Sequence, residues 1–287
     1  MISILKREIK SYFCSVTGYM FCAFMLLFAG IYTVAVNINS AYANFEYALS
    51  NMSFIFIIII PVLTMKVISE ERKQKTDTLL YSLPVSLTKI VLAKYFAMLF
   101  VLLIPVAVMS LYPLVLSLFG TVNFLSAYSS LLGFFLLGAA LISMGLFASS
   151  VTENQALAAG LAFLIVLVNY FITSFAYYLS GTATASLIAL AITVLAIGIL
   201  VYVLTKDYTI AGGVTILGEA VLAFIFFTFP EKLEGLFPAI IEKLSLFERF
   251  TIFTEGILDL ASVVYRILVS VIFVFITVQA MEKRRWS

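Results

Sequence analysis

Apolar residues run in stretches of close to 20 along this 287-residue chain, separated by short polar punctuation. A hydrocarbon core about 30 Å thick needs about 20 apolar residues in a helix. That yardstick marks eight spans, at 18–36, 51–68, 90–119, 127–150, 156–179, 185–204, 210–229 and 262–281. The third is long and contains Pro105 and Pro113, which kink or divide it. The seventh opens on AGG and carries Glu219 within it. Before the first span, MISILKREIKSYF sets Ile2, Leu5, Ile9, Tyr12 and Phe13 on one helical face with Lys6, Arg7 and Lys10 off it. This predicts a helix lying in the membrane interface over residues 1–17, with a cytosolic extension of the first span as the alternative. The first apolar run is longer than the roughly 7–15-residue core of a signal peptide and lacks a small-residue cleavage site.

Composition says the same. The chain is 63% hydrophobic and 11% charged, with a mean hydropathy of +1.16, against about 25% charged residues in soluble domains. The expected fold is all-α, a polytopic membrane helix bundle forming one transmembrane domain over 1–287. A net charge of +2 without a basic stripe gives no footprint for nucleic acid. The absence of histidine removes the commonest general base and metal ligand. Cys14 and Cys22, eight residues apart on one helical region, would sit roughly 12 Å apart, too far for a disulfide. No catalytic or metal site is therefore expected.

Eight spans put both termini on one side, and positive charge chooses which. Only Lys232, Lys243, Arg249 and Arg266 fall opposite the termini; the other thirteen Lys and Arg lie with them. The termini are expected to be cytoplasmic, and so is the stretch SEERKQKTDTLLYSLPVSLTK after the second span. Within it, EERKQKTDTLL is helix-compatible, Glu71 and Lys75 form an i,i+4 pair, and Leu79, Leu80 and Leu83 share a flank. Pro84 stops or turns the helix, and Ser86 is placed to cap the next one near Thr88. A short helix of this shape suits docking into a groove on a soluble partner, through Glu70, Glu71, Arg72, Lys73, Lys75, Thr76, the three leucines and Pro84. The alternative is a charged loop that only enforces orientation.

This stretch and its flanking spans resemble the permease of ABC type-2 transporters. There a cytosolic segment similar to E-x-x-x-G-T-x-E-x-L-L-x-x-P-V-S follows the second span. Thr76, Leu79, Leu80, Pro84, Val85 and Ser86 fall on matching positions. Lys75 stands where glycine is usual, and Thr78 where an acidic residue is usual, with Asp77 one place earlier. GLFASSVTENQALA (145–158) resembles the family's join between its fourth and fifth spans. FERFTIFTEGILDLASVVY (247–265), with the last span ending in EKRRW, resembles the C-terminal part of gliding-motility-type permeases. The resemblance covers the chain except 181–229, which reads as an additional helical hairpin beyond a six-span core.

The resemblance implies the permease subunit of a bacterial ABC transporter, an exporter in the plasma membrane, that hydrolyses nothing itself. Two such subunits, identical or paralogous, would pair in the lipid bilayer over two cytosolic ATPase subunits, which bind the ATP and Mg. Residues 69–87 would be the coupling segment, and 230–261 a lid-like external segment of short helices. No G-x-x-x-x-G-K-[ST] phosphate loop occurs in the chain, so nucleotide chemistry has to come from another subunit.

Glu219 is an ionisable group at depth, a functional candidate by default. It either contacts substrate or couples the extra hairpin to the core, unless it sits nearer the interface or pairs with a neighbouring helix. Asn169 in the fifth span either hydrogen-bonds across helices or faces the translocation path. Glu255 and Asp259 share a helical face at i,i+4, with no His or Cys nearby to make a metal site. Trp286 reads as an interfacial anchor. The competing classes are an ATP-independent secondary transporter or channel, against which the chain offers one mid-membrane carboxylate and no detectable repeat, and a membrane scaffold.

Overall fold

The computed structural model describes residues 2–40, 42–76, 85–178, 181–205 and 208–285, and all regular structure among them is helical. Seven helical runs are long and apolar enough to cross a membrane: Val16–Ile38, Phe45–Lys73, Leu87–Leu116, Phe124–Val151, Gln155–Phe175, Ala211–Thr228 and Leu260–Arg284. The eighth expected span coincides with a 23-residue helix, Ala183–Thr205, whose described apolar part is Ala183–Ala196. The chain divides into two compact units, Met1–Tyr170 with Arg249–Ser287, and Phe171–Glu248.

The first unit opens with α1 (Ile2–Cys14), which packs on α2 (Val16–Tyr32) and on the third span. The chain bends at Ser15, and Gly18 lets the two helices touch: a Cβ there would meet the Tyr12 carbonyl oxygen at 2.7 Å. The last turn of the first span is a π-helix, Thr33–Ile38. The second span is built from α3 (Phe45–Met52), a 3-10 turn, α4 (Phe56–Thr64) and α5 (Ser69–Lys73). It begins six residues before its sequence-based start.

The third span is α6 (Leu87–Met109) followed by α7 (Tyr112–Leu116). Of its two prolines only Pro113 divides it, standing in the first turn of α7, where its missing N–H costs nothing; Pro105 stays inside α6. Ser86 occupies the N-cap position, but its side chain makes no cap bond. Its carbonyl instead accepts from the Lys89 and Ile90 amides at 3.0 and 3.3 Å.

α8 (Phe124–Val151) is the central helix, packed against α3, α4, α6 and the last span. Small residues on α8 allow this. At Gly145 a Cβ would lie 2.4 Å from Thr64 Oγ1, so the α4 contact requires glycine. After α9 (Gln155–Tyr178), the second unit contains α10 (Ala183–Thr205), α11 (Tyr208–Thr228) and α12 (Leu236–Leu244). α10 and α11 pair antiparallel, with Gly198 against Thr215 and Gly218 against Val194.

The chain returns to the first unit with α13 (Glu248–Thr254) and α14 (Leu260–Arg285). α13 ends at Thr254 and Gly256 adopts φ +81°, so Glu255 and Asp259 do not share a helical face as their spacing suggested. Asp259 instead caps α14, accepting from the Ala261 and Ser262 amides at 3.1 and 3.0 Å and from Ser262 Oγ at 2.6 Å. The Ser262 hydrogen bond is the main reason its carboxyl is held below the usual range. Among the described residues no cluster of three or more acidic or thiol ligands could hold a metal.

Candidate functional site: a charged junction at one end of the bundle

The second span ends in a Ser-Glu-Glu-Arg-Lys sequence that an ordinary transmembrane helix would place in water. Here the end is partly folded back into protein. Ser149 Oγ on α8 accepts from the Ile68 and Ser69 amides at 3.1 and 3.2 Å and donates to the Met65 carbonyl at 3.3 Å. These bonds satisfy backbone groups that the break before α5 leaves free. Arg72, buried, donates through Nη1 to the Ser150 carbonyl.

Glu71 lies at the centre of an ionic network. Its Oε1 is 2.7 Å from Lys94 Nζ on α6 and 3.6 Å from Arg7 Nη2 on α1. Lys94 is 1% exposed; it also contacts Glu8 Oε1 at 3.3 Å and donates to the Val67 carbonyl at 3.0 Å. Arg7 pairs with Glu8 at 2.7 Å. The hydrogen bond to Glu8 is the first cause of the raised Arg7 pKa, outweighing partial burial. Tyr12 donates to the Leu63 carbonyl at 3.3 Å, and burial, then the Glu8 charge, push its hydroxyl pKa upward. Arg7, Glu71 and Lys94 all border a polar cavity of about 800 Å³. Four helices, α1, α5, α6 and α8, are thereby tied together at one point. Arg284, at the end of α14, pairs with Glu153 beside the same end.

The segment predicted to dock a partner is divided by this arrangement. Glu71 and Arg72 point into the bundle, Glu70 is half-buried, and Lys73, Gln74 and Lys75 are exposed. The expected Glu71–Lys75 helical pair does not form, because α5 stops at Lys73 and Glu71 finds Lys94 instead. Lys75 has φ +55°, the one non-glycine residue with positive φ among those described. Thr76 then closes the turn, its amide and hydroxyl donating to the Glu71 carbonyl at 2.9 and 3.2 Å. Leu79, Leu80, Leu83 and Pro84 lie outside the described residues.

The left-handed turn explains why glycine suits position 75. An L-residue there costs about 1–2 kcal/mol, while glycine's extra chain entropy costs about 0.5–1 kcal/mol. Lys75→Gly is therefore expected to raise unfolding stability slightly, by up to about 1 kcal/mol, and Lys75→Val to lower it; thermal unfolding of the purified variants measures both.

Asn169 and Glu219 lie on other helices, α9 and α11. Asn169 is half-buried on α9 in the first unit. Glu219 lies mid-helix on α11 in the second, its Oε1 buried and without a hydrogen-bond partner among the described residues. Sequence reasoning missed Lys94, Glu8 and Arg266. Lys94 and Glu8 were hidden among orientation-setting charges. Arg266 was counted as external, yet it is fully buried in α14, donating to the Gly133 carbonyl at 3.0 Å, 4.8 Å from the Phe253 ring and 5.9 Å from that of Phe250. Its position four residues inside the last apolar run was the available signal.

No curated protein matches the chain. Residues 31–185, a little over half of it, match the family described as ABC-2 family transporter protein. The matched region runs from the last turn of α2, through the charged junction, to the start of α10. Together with several membrane-crossing helices, that match makes this chain a multi-pass membrane permease belonging to the ABC-2 transporter family.

Proposed function

We propose that this chain is the transmembrane subunit of a bacterial ABC exporter in the plasma membrane. Its charged end faces the cytoplasm with both termini, and a separate ATPase with bound ATP and Mg drives it from below. The observation that carries the reading is the Glu71–Lys94 ion pair at 2.7 Å, which joins the turn after the second span to the third. A load applied to that turn reaches α1, α6 and α8 through short polar contacts rather than through a loose loop. The exposed residues Lys73, Gln74 and Lys75, continuing into Leu79, Leu80, Leu83 and Pro84, supply the docking surface. Glu71 and Arg72 transmit from it.

Two copies of the chain, or one with a paralogue, would pair over two ATPases. The C-terminal resemblance to gliding-motility-type permeases supports that subgroup within the family. Glu219 and Asn169 are the polar candidates along the translocation path, and a half-buried mid-helix carboxylate with one oxygen buried is unusual enough to need a function. A secondary carrier or channel is the other reading, supported only by Glu219.

The test is co-expression with a phosphate-loop ATPase, sought first in the adjoining reading frames. Reversing the exposed charge, Lys73→Glu, is expected to cut ATPase capture about tenfold or more while leaving thermal stability unchanged, because Lys73 is exposed at the end of α5. Undiminished capture and ATP-driven transport after removal of residues 73–84 would refute the docking role. Transport by the chain alone in liposomes would favour the carrier.

A further inference from the structure

The 29-residue run Phe45–Lys73 carries a second buried carboxylate at the end opposite Glu71. Glu46 is 3% exposed. Its Oε1 accepts from Asn44 Nδ2 at 2.8 Å and from Ser126 Oγ, on α8, at 3.2 Å. Its Oε2 is buried with no partner. Next in the network is Asn37, also 3% exposed, on the π-turn of the first span. Asn37 Nδ2 donates to the Tyr42 and Asn44 carbonyls at 2.7 and 2.8 Å. Two carbonyl acceptors fix which end of the amide is nitrogen, so the unpartnered buried atom, Asn37 Oδ1, is an acceptor as well.

Leaving either oxygen unmatched costs free energy. Among the described residues, none packed around Glu46 supplies a positive charge. The elements packed on α3 are α2, the π-turn, α7 and α8. Their titratable side chains are Tyr19, Cys22, Tyr32, Tyr112 and Tyr128, and α3 itself adds only Tyr47. α13, reached through Ser126 and the Thr254 carbonyl at 3.3 Å, carries Glu248 and Arg249 and is followed by Glu255. Arg249 stacks on Tyr265 at 4.4 Å, and none of the three pairs with Glu46.

Two donors at Oε1 and the N-terminal turn of α3 all stabilise negative charge on this carboxylate. The chemical complement is one positive charge with a taste for oxygen. A single carboxylate among neutral oxygens balances a monovalent ion, whereas divalent sites collect several carboxylates. The Asn44 and Thr254 carbonyls keep a second lone pair each. Asn37 also borders a pocket of about 550 Å³ between the π-turn and α7, which offers a way in.

We infer that Glu46 and Asn37 form a binding site for one alkali-metal cation at the end of the bundle remote from the charged junction. The site pins the π-turn, the start of α3 and the start of α8 around a shared ion. The inference does not depend on the ATPase partnership.

Equilibrium binding of radioactive sodium to the purified full chain, with potassium as competitor and N-methylglucamine as the inert control, tests it. One ion per chain is expected, with a saturable rise in unfolding temperature of about 5 °C at a hundredfold excess over Kd. Glu46→Gln keeps the acceptor for Asn44 and Ser126 but removes the charge. It is expected to weaken binding at least tenfold without lowering stability in sodium-free buffer. Should that variant not fold, Glu46→Asp, which keeps the charge on a shorter arm, is expected to bind with intermediate affinity. Equal binding by wild type and Glu46→Gln would overturn the proposal. So would a response to pH alone that Glu46→Gln abolishes, which assigns the charge to a proton. Insensitivity to both ions and pH would overturn it as well, and would mean that water fills the site.

Discussion

Replacing Lys94 with alanine is expected to destabilise the protein by about 3–5 kcal/mol, more than any other single change at the charged junction. Lys94 is 1% exposed and holds Glu71 at 2.7 Å and Glu8 at 3.3 Å. Its removal leaves Glu71 largely buried with only Arg7 at 3.6 Å. The cost arises from stranding a buried charge, not from the intrinsic worth of an ion pair. Lys94→Met combined with Glu71→Leu should therefore cost much less than Lys94→Ala alone, since Glu8 keeps Arg7 as its partner. Thermal or denaturant unfolding in detergent decides the matter. A single variant losing less than about 1 kcal/mol, or a double variant worse than the single, would show that the junction is not held by these charges. The same double variant separates stability from coupling. It should fold yet transmit poorly, because apolar contact between α5 and α6 slides where a directional ion pair does not.

The second large effect is expected at Arg266. Its guanidinium bonds the Gly133 carbonyl and lies against Phe250 and Phe253, joining α8, α13 and α14. Arg266→Ala removes the hydrogen bond, both ring contacts and a large buried volume, for an expected loss of about 3–5 kcal/mol. Arg266→Lys should recover little of this. A point ammonium cannot both bond a carbonyl and lie flat on a ring. Unfolding measurements give the magnitude. Limited proteolysis near Thr254 gives the location, because α13 is held partly by Arg266 and partly by Ser129 and Ser130, which donate to the Phe253 carbonyl at 3.1 and 2.9 Å. If the lysine variant matches wild type, the guanidinium's ring contacts are unimportant.

The helices themselves were legible in the sequence. Runs of 20 apolar residues have one stable answer in hydrocarbon, and the described helices fall on the expected spans. Pro113 was a readable break because proline fits the first turn of a new helix. Local signals misled where a tertiary partner outbid a sequence neighbour. Glu71 and Lys75 are correctly spaced for a helical pair, but Lys94, 23 residues away, offers a buried contact that water does not screen. Ser86 sits at the N-cap position without using its hydroxyl. Glu255 and Asp259 have helical spacing across a turn at Gly256 that ends the helix.

Sequence alone determined the class of solvent, the rough limits of the seven spans the structure contains, and a family resemblance centred on the segment after the second span. These follow from local composition and short-range spacing, each stretch read against lipid or water on its own. Only the tertiary structure decided which charges are inward. Lys94 and Arg266 look in sequence like any cation near a membrane edge, and Glu46 like any acid in a loop. Whether a side chain is buried depends on helices far along the chain that close over it, and no periodicity within 20 residues encodes that.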